Sequence, residues 1–137
     1  MKALVTGGTG GIGKDRALSL LKRGYEVRVV SRKEGEFSDR KKQFPEEKLT
    51  FASYDLSKEE ECYRLLKDTE NIDFDVFINN AGFGDIGYRE KTDLNKEVNR
   101  LKLNDIATLI LVKSFLLRFK KRNKGHVLRT ASAAAFG

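Results

Sequence analysis

The densest glycine run in the chain is Thr6-Gly7-Gly8-Thr9-Gly10-Gly11-Ile12-Gly13. Glycine lets a backbone turn sharply and lets a pyrophosphate approach with no Cβ in the way. A helix that begins in such a run offers its free N–H groups and positive dipole end to the phosphates. A glycine run alone is only a turn. Here it follows the apolar Ala3-Leu4-Val5 and precedes a helical pattern, which is the setting a nucleotide-binding loop requires. A second chemical signal stands at Val30-Ser31-Arg32-Lys33. An acid at that place would bond the ribose 2′-OH of NAD, whereas an arginine accommodates the 2′-phosphate of NADP. No acid stands between Val30 and Glu34. Arg32 offers a bidentate fork and Lys33 a point charge, so NADP(H) is expected over NAD(H). The alternative is two cations on an exposed loop.

The elements that must position these residues alternate. Ala3–Val5 reads as a buried strand, and Ile12–Arg23 as a helix stopped by Gly24. Val27–Val30 and Leu49–Tyr54 read as strands, Lys58–Thr69 as a helix with Leu65 and Leu66 inward. Val76–Ile78 is a fourth strand, a long helix runs from Asp93 to Lys121, and Val127–Thr130 is a fifth strand. The charged segment Glu34–Phe44 is expected to be a rim helix closed by Pro45. Strands alternating with helices imply right-handed βαβ units and a parallel sheet, hence an α/β fold.

These residues resemble the short-chain dehydrogenase/reductase family over the whole chain. The Thr6–Gly13 loop is similar to the family's TGxxxGxG, with Thr6, Gly7, Thr9, Gly11, Ile12 and Gly13 at its positions. Asp55-Leu56 after the third strand is similar to the family's adenine-contacting pair. Asn79-Asn80-Ala81-Gly82 looks like the NNAG motif, which places Asn80, Ala81 and Gly82 beside the cofactor. Asn104 in the long helix and Ser132 after the fifth strand match the family's asparagine and serine. The resemblance implies a Rossmann-type, doubly wound parallel sheet of about five strands in the order 3-2-1-4-5. Residues 1–137 would be an incomplete NAD(P)-binding domain. It implies hydride transfer between a nicotinamide and a small-molecule carbonyl or alcohol. Ser132 would orient the carbonyl oxygen, and Asn104 would support a proton-relay water. The family's tyrosine and lysine lie on a helix after the fifth strand, and no such pair follows Ser132 here. Gly10 stands where many NADP-preferring members carry a base, and Arg129-Thr130 replace apolar or amide residues.

Two other pairs have the Tyr-x-x-x-Lys spacing, Tyr54/Lys58 and Tyr63/Lys67, but both precede Ser132. His126, the sole histidine, has no spaced partners for a metal or a triad and is expected at the surface. Cys62, the sole cysteine, sits among Glu59, Glu60 and Glu61, which should raise its pKa. A single cysteine forms no internal disulfide, so a reducing cytoplasm is the default.

The chain has 137 residues, 39% of them hydrophobic and 34% charged, which excludes a disordered or collagen-like chain. No apolar run is long enough to span a membrane. The formal charge of +7 comes entirely from beyond residue 105. Lys113, Arg118, Lys120, Lys121, Arg122, Lys124 and Arg129 lie there without an acid. Without an aromatic or helix-turn-helix pattern, they read as a solvated helix end rather than a nucleic-acid surface. The long helix is apolar on two faces, through Ile106, Leu109, Ile110, Leu111, Phe115, Leu116 and Leu117 among others. One face should cover the sheet and the other a second subunit, so a homo-oligomer through the 93–121 helix is expected. The leading expectation is the cofactor-binding part of an NADP-dependent oxidoreductase. The alternative is a non-catalytic NADP-binding sensor or interaction module.

Overall fold

Each short apolar run ends in polar residues, and each becomes a parallel strand. The computed structural model describes residues 1–7, 11–32, 48–80 and 94–129, without the side chains of residues 11–13, 97, 100, 101, 104 and 129. Strand β1 is Lys2–Thr6, β2 Glu26–Ser31, β3 Leu49–Ser53, β4 Val76–Asn79 and β5 His126–Arg129. Helices α1, Gly11–Lys22, α2, Glu59–Asp68, and α3, Leu94–Arg122, lie between them. The five strands form one parallel sheet in the order β3-β2-β1-β4-β5. That is the expected α/β order, with boundaries moved by a residue or two. The expected rim helix at Glu34–Phe44 lies outside the described residues.

The pleat divides the core into two layers. Ala3, Val5, Val27, Val29, Val76 and Ile78 face α1 and bury Ala17 and Leu21. Leu4, Val30 and Phe77 face the other way, against Cys62 and Leu65 of α2 and Ala107, Leu111, Phe115 and Phe119 of α3. Residues 3–6 are therefore buried on both sides, which only a parallel sheet covered on both faces requires. Phe77 stacks on Phe115 with centroids 4.4 Å apart. Fully burying one such ring contributes roughly 1.5–3 kcal/mol.

The helix ends are set locally. Gly24 adopts φ +87°, and the bonds Tyr25 N→Leu20 O and Gly24 N→Leu21 O close α1. Asn123, at φ 55°, closes α3 in the same way through Lys124 N→Phe119 O and Asn123 N→Lys120 O. Both turns deliver the chain directly to the next strand.

Candidate functional site

Because all five strands are parallel, their C-terminal ends share one edge of the sheet. Register pairs Thr6 with Val30 and with Asn79, and Val30 with Ala52. Gly7, Arg32, Asp55 and Asn80 therefore lie in one row just past the strands. Three backbone bonds hold that row: Gly7 N→Val30 O at 2.8 Å, Asn80 N→Thr6 O at 3.1 Å and Tyr54 N→Ser31 O at 3.1 Å. Strand order reverses between β1 and β4, where Gly7 and Asn80 meet. In open α/β sheets ligands bind at such a switch point.

Gly7 leaves β1 at φ +67°, in the left-handed region that glycine enters without strain. Gly11, Ile12 and Gly13 form the first turn of α1, and no acid occupies that turn. An acid there would oppose a phosphate. Thr6 is fully buried and spends its hydroxyl on Asn79 Oδ1 at 2.7 Å, so it supports the loop from below. Arg32 is exposed at the end of β2, and its carbonyl accepts from Ser53 Oγ at 3.0 Å. Asp55 Oδ1 accepts from Ser57 Oγ at 2.6 Å and from Ser57 N at 3.2 Å. These bonds, helped by the charges of Arg32 and Lys58, hold its carboxyl below the ordinary 3.8. Leu56 is half-buried against the α2–α3 layer, and its carbonyl accepts from Cys62 Sγ. Thr9, Lys33, Ala81, Gly82 and Ser132 lie outside the described residues, and so does the side chain of Asn104.

The side chains set aside as alternatives have other partners or lie apart from the row. Tyr54 is buried, its hydroxyl donates to Asp68 Oδ2 at 2.5 Å, and Arg64 lies over its ring at 4.2 Å. Burial first, then Asp68, pushes its pKa to about 12. Tyr63 is 58% exposed on α2. His126 is exposed at the start of β5, on the edge opposite Gly7 and Asn80. Cys62 is buried, and its thiol rises to about 11. The main cause is burial, with Glu59 and Glu61 adding to it, so the acidic neighbours are the lesser reason.

The basic end of α3 is largely exposed, as expected, with Arg118 the departure. Arg118 is not simply solvated. Its guanidinium donates to Leu66 O at 2.5 Å and to Thr69 O and Oγ1 at 3.3 and 3.2 Å, satisfying carbonyls at the end of α2. Arg122 donates to Phe74 O at 2.7 Å, and Lys124 pairs with Asp75 at 3.1 Å. Lys113, Lys120 and Lys121 are exposed. Thr108 belongs to no motif that marks it in the sequence. It is buried, and its hydroxyl accepts from Asn79 Nδ2 at 3.0 Å. Its only signal was a spacing of four residues from Asn104, which puts both on one side of the helix.

Among the described residues no helix is long and apolar enough to cross a membrane. A family model described as short chain dehydrogenase matches residues 1–137. The chain is 27% identical to a very-long-chain 3-oxoacyl-CoA reductase of Caenorhabditis briggsae, over 97% of this chain and 45% of that protein. It is 34% identical to an uncharacterized oxidoreductase, YvrD, of Bacillus subtilis, over 96% of this chain and 51% of that one. The closed form of a serine dehydrogenase complexed with NADP+ superposes with TM-score 0.78 at 22% identity, over 94% of this chain and 53% of that one. This last likeness concerns the fold alone. The chain spans about half the length of the relatives it matches.

Proposed function

The chain belongs to the short-chain dehydrogenase family, and on that premise we propose that it is the dinucleotide-binding part of an NADP(H)-dependent oxidoreductase. The observation that carries this reading is the row of Gly7, Arg32, Asp55 and Asn80 along one sheet edge, centred on the switch point. The residues fit a dinucleotide. Gly7 has the left-handed backbone that a close approach needs, α1 begins with no acid, and exposed Arg32 follows Ser31, not an acid, at the end of β2.

Residues Gly7 and Gly11 to Gly13, with Thr9 between them in sequence, would hold the pyrophosphate. Arg32 and Lys33 would hold the 2′-phosphate. Asp55 and Leu56 would border the adenine, and Asn80, Ala81 and Gly82 the nicotinamide half. The bound cofactor supplies hydride for a carbonyl or takes it from an alcohol. Ser132 would orient the substrate oxygen, and Asn104 would hold a water for the proton. Neither side chain can protonate an alkoxide at neutral pH. A general acid within reach of that oxygen is worth about 10²–10⁴ in rate.

The exposed face of α3, through Ile106, Leu109, Leu116 and Leu117, supports a homo-oligomer in this reading. The cofactor test is a calorimetric titration with NADPH and NADH. NADPH is expected to bind more tightly. Arg32→Ala should narrow the difference by about 1–3 kcal/mol, the scale of a lost charge-assisted bond. Equal affinities for the two cofactors in the unaltered chain would refute the NADP preference.

A further inference from the structure

The face of β1 and β4 that meets α3 is apolar until the strands end. Leu4 and Phe77 pack on Leu111 and Phe115, but the next inward positions are Thr6 and Asn79. Thr6 is 0%, Asn79 1% and Thr108 8% exposed. Thr6 Oγ1 donates to Asn79 Oδ1 at 2.7 Å, and Asn79 Nδ2 donates to Thr108 Oγ1 at 3.0 Å. Buried polar groups cost free energy unless paired, and valine would fill either threonine site with no such requirement. What the polar chain adds is direction. Apolar contacts tolerate a small slide or rotation of a helix over a sheet, whereas hydrogen bonds of about 3 Å weaken steeply when misaligned.

Both ends of this chain lead to the candidate site. Thr6 precedes Gly7, and its carbonyl accepts from Asn80 N at 3.1 Å. Thr108 follows Asn104 by four residues within α3, one turn along the same side. We propose that Thr108 is a positioning residue for the dinucleotide site, its hydroxyl closing a buried Thr6–Asn79–Thr108 chain that ties the strand ends bearing Gly7 and Asn80 to the helix bearing Asn104. This rests on the reading that those strand ends hold a dinucleotide. The bonds set the rotation and height of α3 over the switch point, so a loss at Thr108 is felt by a ligand that Thr108 does not touch.

The experiment compares the unaltered chain with Thr108→Val and Thr108→Ser, measuring NADPH affinity by calorimetry and unfolding temperature separately. Valine keeps the shape and loses the hydroxyl, and serine does the reverse. Thr108→Val is expected to weaken binding about fivefold, the scale of one net hydrogen bond. Thr108→Ser should stay within about twofold of the unaltered chain. Adding Thr6→Val to Thr108→Val should cost less than the two single effects together, because both break one chain. A lowered unfolding temperature with unchanged affinity in Thr108→Val would overturn the proposal, as would equal weakening by serine and valine. If Thr108→Val does not fold, NADPH added to the unaltered chain must shift the Thr108 amide and the Asn79 side-chain amide in NMR spectra. Shifts at Gly7 without shifts at these two would overturn it. An unaltered, folded chain that binds no NADPH would instead overturn the dinucleotide reading itself.

Discussion

Individual side chains at the two sheet edges have opposite tasks. At the edge away from the candidate site, Asp75 joins three strands. Its Oδ2 accepts from Lys2 N at 2.9 Å, its Oδ1 pairs with Lys124 Nζ at 3.1 Å, and its carbonyl accepts from His126 N at 3.0 Å. The Lys2 amide first, and then Lys124, hold its carboxyl below 3.8. A folded pKa below the unfolded one means that the unfolded chain takes the proton first. The stabilisation is therefore complete above about pH 5 and is lost as pH falls through the folded pKa. Asp75→Asn keeps an oxygen for the Lys2 amide but removes the charge that strengthens that bond, and should cost about 1 kcal/mol at neutral pH, little of it from Lys124, which is largely exposed. It should also flatten the acid dependence, as urea midpoints at neutral and acid pH would show. An Asn variant as acid-sensitive as the unaltered chain would contradict this. Near the site, Tyr54 is bound to Asp68 and held protonated. Tyr54→Phe should lower stability by about 0.5–1.5 kcal/mol and leave NADPH affinity unchanged, measured by urea unfolding and calorimetry.

The elements show which parts of the arrangement could be read in advance. The glycine run and Arg32 stand out because each follows an apolar strand run, Asp55 and Asn80 stand out only by resemblance to the family's motifs, and parallel strands bring all four positions to one edge. The role of Arg118 was not legible, since its carbonyl partners on α2 are about fifty residues distant and a basic helix end looks the same with or without them. Thr108 was hidden for a similar reason. One threonine on a long helix carries no sign of Asn79 across the interface. Arg118→Met, which keeps most of the stem, should destabilise by about 1.5–3 kcal/mol by uncapping α2. Unfolding midpoints would measure it, and loss of helical signal below the main transition would locate it. The turn after α3 offers a steric test. Gly125 has φ +126°, and a Cβ there would stand 2.4 Å from the Phe119 ring. Gly125→Ala should cost about 2–3 kcal/mol through strain and overpacking. A change within experimental error would contradict the packing of α3 on β5.

At the scale of the whole molecule, α3 has two apolar faces with different fates. Ala107, Leu111, Phe115 and Phe119 are buried in the sheet layer, while Leu109 and Leu117 stand 66% and 59% exposed. Light scattering should therefore show a dimer or larger assembly, and Leu109→Gln with Leu117→Gln should dissociate it. Tyr54 is bound to Asp68, and Tyr63 lies exposed on α2. The 137-residue chain is expected to oxidise no NADPH with aldehydes or ketones above background. Turnover abolished by Tyr54→Phe or Tyr63→Phe would reverse that assignment. Where the dinucleotide sits is decided by NMR titration of the folded chain with NADPH. Saturable amide shifts should be largest at Gly7, Arg32, Asp55 and Asn80 and negligible at Asp75 and His126. Shifts confined to the Asp75 edge, or none at all in a folded sample, would contradict it.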